Sequence, residues 1–504
     1  MIRIAQTVDW VAVAPAVAVA ATALIVLLAD LWLPRRRAGA LTVAGVGGVL
    51  VGLVFVVLQW GESRATFCVT SADGAVTSCS YVVEQLTLVF QGVILVGTLV
   101  VLLLAHAETS APDARLPGGE TGFLVLASAT GALVLAAGRD LATILVALEL
   151  VSLPAFALVG LRRRDRRDAE AALTFFVVSV VSVAVMIYGI SLVYGATGAL
   201  HLDRIAAALA DPEMRTPVAT AGVVLTLVGL AFKIGAVPFH FWVPDTYSGA
   251  PVVVAAYLSV VSKAAGLVGL IVVVSRGFPD YADIWGPVVA ALAVATMTIG
   301  NVAALRQRTA IRLLAWSSVA HAGYLLVPLG VAAAGVTGDE LRTALSATVA
   351  YLCIYAAVNL AAFGVVAIVS RRYPGASLEE FRGLVHSRPA SAVVLGFALV
   401  ALAGLPPGVA GLWAKVVVID AAVTGGAGWL AVAVAVNTVI GLVYYLRWTV
   451  LLFASVPDRR SVLTYDVPVT GGVAVGLMMA AAVAFSVLPQ LVLGLAEASV
   501  GPLR

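Results

Sequence analysis

Of the 30 basic residues in this chain of 504, only Lys233, Lys263 and Lys415 are lysines, and all three lie within apolar stretches. Arginine keeps its proton in any protein setting, whereas lysine gives its proton up when desolvated. Fixed positive charges therefore stand at the polar breaks of the sequence and switchable ones inside its apolar runs, which is the division that proton handling requires. One buried lysine is explained by a carboxylate partner or by a stem that snorkels toward water. Three are not so explained, because a charge at the centre of a membrane helix costs about 2.5–3.5 kcal/mol even on a lenient scale.

The acidic partner expected from the sequence is Glu149, mid-run in Leu145-Val-Ala-Leu-Glu-Leu-Val-Ser-Leu-Pro154. Desolvation and mutual attraction act in opposite directions on such a pair, so moving one partner switches the site between holding and releasing a proton. Asp30 and Glu84 stand near the ends of apolar runs, where anchoring at the interface explains them as well as a direct role does. Asp420 follows Lys415 by five residues, about 140° around a helix, so a direct intrahelical pair is not expected. His240 and His321 have side chains able to relay protons near neutral pH; packing is the alternative for each. Tyr351, Tyr355 and Asn359 recur at helical spacing on one face and either line the same polar axis or pack helices together.

Two of the lysines stand beside breaks. Lys233 precedes Pro238 and Pro244, and Lys415 follows Gly404-Leu-Pro-Pro-Gly408. Proline frees backbone carbonyls, which in lipid is tolerated only where protein or cavity water satisfies them. Broken helices beside ionisable groups thus imply hydrated half-channels, and their recurrence in both halves resembles the discontinuous-helix repeats of transporters.

The elements that carry these residues follow from composition. The chain is 62% hydrophobic and 11% charged, with a mean hydropathy of +1.07, which excludes a soluble domain. A bilayer core of about 30 Å needs roughly 20 apolar residues per helix. Runs of that kind cover 10–33, 39–60, 84–106, 120–138, 140–161, 170–194, 217–242, 250–275, 284–305, 311–333, 342–370, 389–424 with a break near Pro406 and Pro407, 428–454 and 468–495. The expected fold is an all-α polytopic membrane protein of about fourteen transmembrane helices. Continuous Ala/Val/Leu-rich runs exclude a transmembrane barrel, which needs short alternating segments. Met1 to Asp9 has no basic cluster and the first run is too long for a signal peptide, so that run reads as the first span.

Arginine sets the orientation. With the N-terminus outside, the inner loops carry Arg35, Arg36, Arg37, Arg115, Arg162, Arg163, Arg164, Arg166, Arg167, Arg306, Arg308, Arg312, Arg371, Arg372, Arg382, Arg388, Arg447, Arg459 and Arg460. The outer segments carry only Arg3, Arg64, Arg139, Arg204, Arg215, Arg276, Arg342 and Arg504, so both termini are expected outside. In the outer loop after the second span, Cys68 and Cys79 flank Asp73-Gly74, a hairpin turn signal. With that two-residue turn the cysteines face each other at about 5.5 Å, within disulfide range, in a compartment that permits oxidation. Cys353 reads as packing. No ligand pattern for zinc, haem or an iron–sulfur cluster is present, and no phosphate-binding glycine loop, so no metal or cofactor is expected in this chain.

Seven motifs carry a family resemblance: Leu148-Glu-Leu-Val-Ser-Leu-Pro154, Glu170-Ala-Ala-Leu173, Tyr188-Gly-Ile-Ser-Leu-Val-Tyr-Gly-Ala-Thr-Gly198, Phe232-Lys-Ile-Gly-Ala-Val-Pro-Phe-His-Phe-Trp-Val-Pro-Asp245, Gly249-Ala-Pro251, Lys263-Ala-Ala-Gly266 and Leu402-Ala-Gly-Leu-Pro-Pro407. From about residue 120 to 455 the chain resembles the antiporter-like membrane subunits of bacterial proton-translocating NADH:quinone oxidoreductase, respiratory complex I. The resemblance implies two inverted repeats, 120–275 and 284–455, each with a broken helix, after an N-terminal three-helix segment 1–119 and before a last segment 456–504. It implies that Glu149 and Lys233 form the coupling pair of the fifth and seventh spans, that Lys263 is the central relay and that Lys415 serves the second half-channel. FMN, iron–sulfur clusters and quinone would belong to partner subunits of a hetero-oligomer in the bacterial inner membrane. Thr174, Ser248, Ile311 and Ala414 depart from the family pattern, which touches surface and packing detail. The Ala/Val/Arg-rich usage is that of a high-GC bacterium such as an actinobacterium, whose quinone would be menaquinone. Two rivals remain at this level: a subunit of a multisubunit cation/proton antiporter, and a stand-alone solute carrier.

Overall fold

The computed structural model describes residues 8–33, 38–70, 76–110, 116–162, 166–371, 373, 375–455 and 466–500. The first third holds α1 (Trp10–Trp32), α2 (Ala38–Leu58), the strands β1 (Arg64–Thr70) and β2 (Val76–Val83), α3 (Gln85–Thr109), α4 (Gly118–Ala137) and α5 (Leu141–Val159). Next come α6 (Arg166–Thr197), the short α7 (Leu202–Leu209), α8 (Pro217–Ile234), α9 (Trp242–Gly249), α10 (Val252–Tyr257) and α11 (Lys263–Val272). Then follow α12 (Ala282–Ala304), α13 (Ala310–Gly330), α14 (Gly338–Ser370) and α15 (Leu384–Ser387). The chain ends with α16 (Pro389–Ala403), α17 (Val409–Thr424), α18 (Gly428–Phe453), α19 (Val469–Val487) and α20 (Gln490–Ser499).

Among the described residues, thirteen helical segments are long and apolar enough to cross a membrane, which makes this a multi-pass membrane protein. The fourteenth expected span, 389–424, is the pair α16 and α17, separated by a turn at Leu405–Gly408. Its halves are 15 and 16 residues long, each too short to span alone. Two expected boundaries are corrected. The run 217–242 stops at Ile234, because Gly235 takes a left-handed conformation (φ 79°) that caps α8 before Pro238. The run 468–495 divides at Leu488, because Pro489 has no amide hydrogen to continue the α19 ladder and opens α20 instead.

Burial separates a core from a rim. The apolar windows of Val252–Gly277 and Gly338–Ser370 are each 94% buried and that of Ala310–Ala334 is 89% buried, against 28% for Val469–Val487. The first of these continuous rods contains a π-helical turn at Leu258–Ser262 immediately before Lys263, an irregularity found often at functional sites. Helix α13 is held against α12 by small residues: a Cβ on Gly323 would lie 2.5 Å from the Met297 amide and one on Gly300 2.5 Å from the Ala320 amide. Such close approach is how membrane helices pack without a hydrophobic driving force between them. It fixes the face of α13 that carries His321.

The two strands pair antiparallel, with Cys68 opposite Cys79 and joined to it by a disulfide. The register follows the expected hairpin as far as Val69↔Ser78 and then shifts, so that Thr70 pairs with Val76. The Asp73-Gly74 turn lies outside the described residues. So do Arg3, Arg35, Arg36, Arg37, Arg115, Arg163, Arg164, Arg372, Arg459, Arg460 and Arg504, on which part of the orientation argument rests.

Candidate proton-relay site

All three lysines are buried, with Lys233 1%, Lys263 2% and Lys415 5% exposed. Among the described ion pairs none involves a lysine; each ammonium group meets neutral oxygen instead.

Lys233 ends α8 and donates to Ser152 Oγ of α5 at 2.9 Å. Ser152 in turn donates to the Leu148 carbonyl at 2.7 Å. The face of Phe175 lies 5.9 Å from Nζ, a cation–π distance. Gly266 of α11 gives the stem its room, since a Cβ there would stand 2.8 Å from Lys233 Cβ. Glu149 lies one helical turn before Ser152, half-buried at the rim of α5, within electrostatic reach of Lys233 but in no ion pair with it. The acidic group nearest in sequence reasoning is thus a neighbour of Lys233, while the contact is made by a serine.

Lys263 opens α11 and donates to both the hydroxyl and the carbonyl of Ser318 on α13, the hydroxyl at 2.8 Å. The Tyr355 hydroxyl of α14 lies within hydrogen-bond distance of the same Ser318 hydroxyl, at 3.0 Å, and of the Ser259 carbonyl, at 3.2 Å. Asn359, one turn further along α14, donates to Ser259 Oγ at 2.8 Å. Tyr355 therefore faces Lys263, Asn359 faces Ser259 one turn before it, and Tyr351 faces His321. The tyrosine spacing seen in the sequence is a polar face.

Lys415 is held by a broken helix. Its ammonium donates to the carbonyls of Leu402 at 3.1 Å and Ala403 at 2.6 Å, the last of α16. Those carbonyls have no partner within the helix and carry the negative end of its dipole, so the break supplies the cation with acceptors. The Tyr324 ring lies 5.6 Å from Nζ.

His321, mid-α13, stands between the two. Its Nδ1 lies 2.7 Å from the Tyr351 hydroxyl and its Nε2 3.0 Å from the Tyr445 hydroxyl of α18. A cavity lined by His321, Tyr351, Tyr355 and Lys415 lies between His321 and Lys415. Its volume of about 10 Å³ leaves room for one water.

Two candidates fall elsewhere. His240 is buried in the turn between α8 and α9, its ring 5.5 Å from Trp316 and its Nδ1 without a protein partner. Asp420 is exposed on α17 and lines a different cavity of about 390 Å³ with Glu340 and Glu497. Glu84, expected near a span end, caps α3 and is clamped between Arg139 at 2.8 Å and Arg276 at 2.7 Å. Sequence reasoning missed Ser152, Ser318 and Tyr445. Ser152 lay inside the Leu148–Pro154 motif, whereas Tyr445 carried no signal, being 124 residues from His321.

Residues 138–441 match the family model described as NADH:quinone oxidoreductase/Mrp antiporter, TM. NADH-quinone oxidoreductase subunit N 2 of Streptomyces griseus is 51% identical, over 98% of this chain and 94% of its own length. Subunit N of Salinispora tropica is 50% identical, over 92% and 88%. Among solved structures, a chain of respiratory complex I from Thermus thermophilus with bound aureothin shares 30% identity at a TM-score of 0.77, covering 96% of this chain and 99% of that one. A chain of the Mrp complex from Dietzia has a TM-score of 0.83 at 20% identity, covering 97% and 96%; that likeness is one of fold. The protein belongs to the antiporter-like membrane proteins of the NADH:quinone oxidoreductase/Mrp family. Within it, the chain falls with subunit N of NADH-quinone oxidoreductase.

Proposed function

We propose that this chain is the proton-translocating subunit N of a bacterial NADH:quinone oxidoreductase and carries protons along Glu149, Lys233, Lys263, His321 and Lys415. It sits among other membrane subunits in the inner membrane with both termini outside, as two inverted repeats, 120–275 and 284–455. FMN, iron–sulfur clusters and quinone, menaquinone in an actinobacterial setting, belong to partner subunits, so the chain does no redox chemistry of its own. Quinone reduction elsewhere resets the Glu149–Lys233 pair. A proton then moves through Lys263 toward Lys415.

One observation carries the reading: three deeply buried ammonium groups are each held by neutral oxygen. A lysine salt-bridged at depth resists deprotonation, because losing the proton strands a buried carboxylate. A lysine on serine hydroxyls or helix-end carbonyls sheds its proton without that penalty. Tyr351 and Tyr355, which line the cavity with His321 and Lys415, are secondary members of the path; His240 and Asp420 lie apart from it. The cation/proton antiporter reading shares the fold, and identity of about half with subunit N relatives favours the oxidoreductase.

Lys233→Ala in the assembled complex should lower both NADH-driven quinone reduction and proton pumping into vesicles. Undiminished pumping in an assembled variant overturns the role given to Lys233. Purification of the chain without any flavin or iron–sulfur subunit would favour the antiporter.

A further inference from the structure

A relay through His321 needs its ring held toward the Lys415 cavity, and α18 supplies that hold. Tyr445 bridges Ser317 Oγ and His321 Nε2. Ser317 precedes His321 by one helical turn on α13, and both are buried, at 0% and 4% exposed. A neutral imidazole has one donor and one acceptor nitrogen, and a hydroxyl has one proton to give. Both ring nitrogens of His321 therefore have a hydroxyl partner whichever of them carries the proton: Tyr445, itself anchored by Ser317, at Nε2 and Tyr351 at Nδ1, 2.7 Å away. Tyr351 lines the cavity that also holds Lys415.

We infer that Tyr445 is the positioning residue of His321: anchored by Ser317, it holds the imidazole with Nδ1 at Tyr351 and so aims the hydrogen-bonded chain at the Lys415 cavity. Tyr445 passes no proton itself. The adjacent Tyr444 extends the same support, donating to Asn301 Oδ1 at 2.9 Å while Asn301 Nδ2 donates to Tyr324 at 3.3 Å. Tyr324 is the ring facing the Lys415 ammonium. One turn of α18 thus steadies both sides of the water-sized gap. The inference rests on the relay reading, because orientation of His321 matters only if a proton passes there.

The test uses the whole complex in proteoliposomes, reading NADH-driven pumping and melting temperature. Tyr445→Phe and Ser317→Ala each remove one hydroxyl, and each should slow pumping roughly fivefold, the scale of one lost hydrogen bond, without a matching rise in the quinone KM. The double variant should be no slower than either single one, since both break one chain. Ser317→Thr, which keeps the hydroxyl, should pump at the wild-type rate. Wild-type pumping by Tyr445→Phe overturns the inference, as does a double variant whose slowing is the product of the two single effects. Lys263→Ala separates the two levels: if it abolishes pumping while Tyr445→Phe pumps at the wild-type rate, the relay stands and the positioning role falls. If Lys263→Ala also pumps normally, the relay itself is wrong.

Discussion

Gly404 lies against the end of Lys415: a Cβ at that position would stand 3.0 Å from Lys415 Cδ and 3.2 Å from its Nζ. Gly404 also takes φ 86°, in the left-handed region, at the end of α16. The glycine therefore does two things at once. It turns the chain out of α16, and it leaves the space in which the ammonium reaches the last carbonyls of that helix.

Gly404→Ala should lose both. The left-handed backbone costs a residue with a Cβ about 1–2 kcal/mol, and the methyl group displaces the ammonium from Leu402 and Ala403. The expected result is an assembled complex with a lowered melting temperature and slowed pumping. Normal pumping in a variant whose melting temperature has dropped would show that the placement of Lys415 at these carbonyls is unimportant for transport.

Ser152 is the corresponding test at the other end of the path. Ser152→Ala takes away the one hydrogen-bond partner of the Lys233 ammonium among the described residues, and a buried donor left without a partner costs about 1–3 kcal/mol. The charge then has Glu149 as its nearest alternative, which ties the pair together instead of leaving it poised. Quinone reduction and pumping should both fall, by less than in Lys233→Ala, and Ser152→Thr should restore them. Equal rates for Ser152→Ala and wild type would remove the serine from the account.

The lysines were legible in the sequence because their type alone marks them: no other lysine exists, and apolar neighbours surround each one. The two breaks were legible because proline and glycine act locally on the backbone. Partners were harder to read, since they depend on which helix faces lie together. Lys233 meets a residue 81 positions away and Lys263 one 55 away. In α5 the charged residue drew the expectation to Glu149, while the contact fell one turn further on, at Ser152. The same applies to Tyr445, whose role appears only once α18 is packed against α13. The break at Pro489 was missed for the opposite reason: apolar residues on both sides made 468–495 read as one span.

The β1–β2 hairpin gives a prediction independent of transport. Its disulfide closes a separation of 11 residues, for which the loop-entropy scale gives about 3 kcal/mol. The hairpin is also pinned to α7 without it, by Ser78 to Asp203 at 2.7 Å and by Arg204 to Thr77 at 2.7 Å. Cys68→Ser with Cys79→Ser should therefore leave assembly and pumping intact while making this loop cleave faster under limited proteolysis. An unchanged cleavage rate would mean that the polar contacts alone hold the hairpin. Alkylation of two thiols in the non-reduced intact protein would mean that the bond does not form.

Glu84 provides the pH dependence. Burial by itself raises its carboxyl group, but Arg139 and Arg276 outweigh that and hold it below the usual carboxylate range. The two arginines come from the α4–α5 connection and from the end of the rod that contains Lys263, so the clamp ties the ends of three elements together. A carboxylate whose pKa falls on folding stabilises the fold fully above its unfolded value, and that contribution disappears as pH drops through the folded one. The melting temperature of the complex should accordingly hold through the neutral range and fall once pH passes below the ordinary carboxylate range. Glu84→Gln removes this source of the acid slope. Glu84→Ala leaves Arg139, which is 7% exposed, without a counter-charge, and breaking a buried pair in that way costs about 3 kcal/mol. Thermal unfolding of both variants between neutral and acid pH tests the clamp, and an acid slope in Glu84→Gln as steep as in the wild type would assign the loss to other carboxylates.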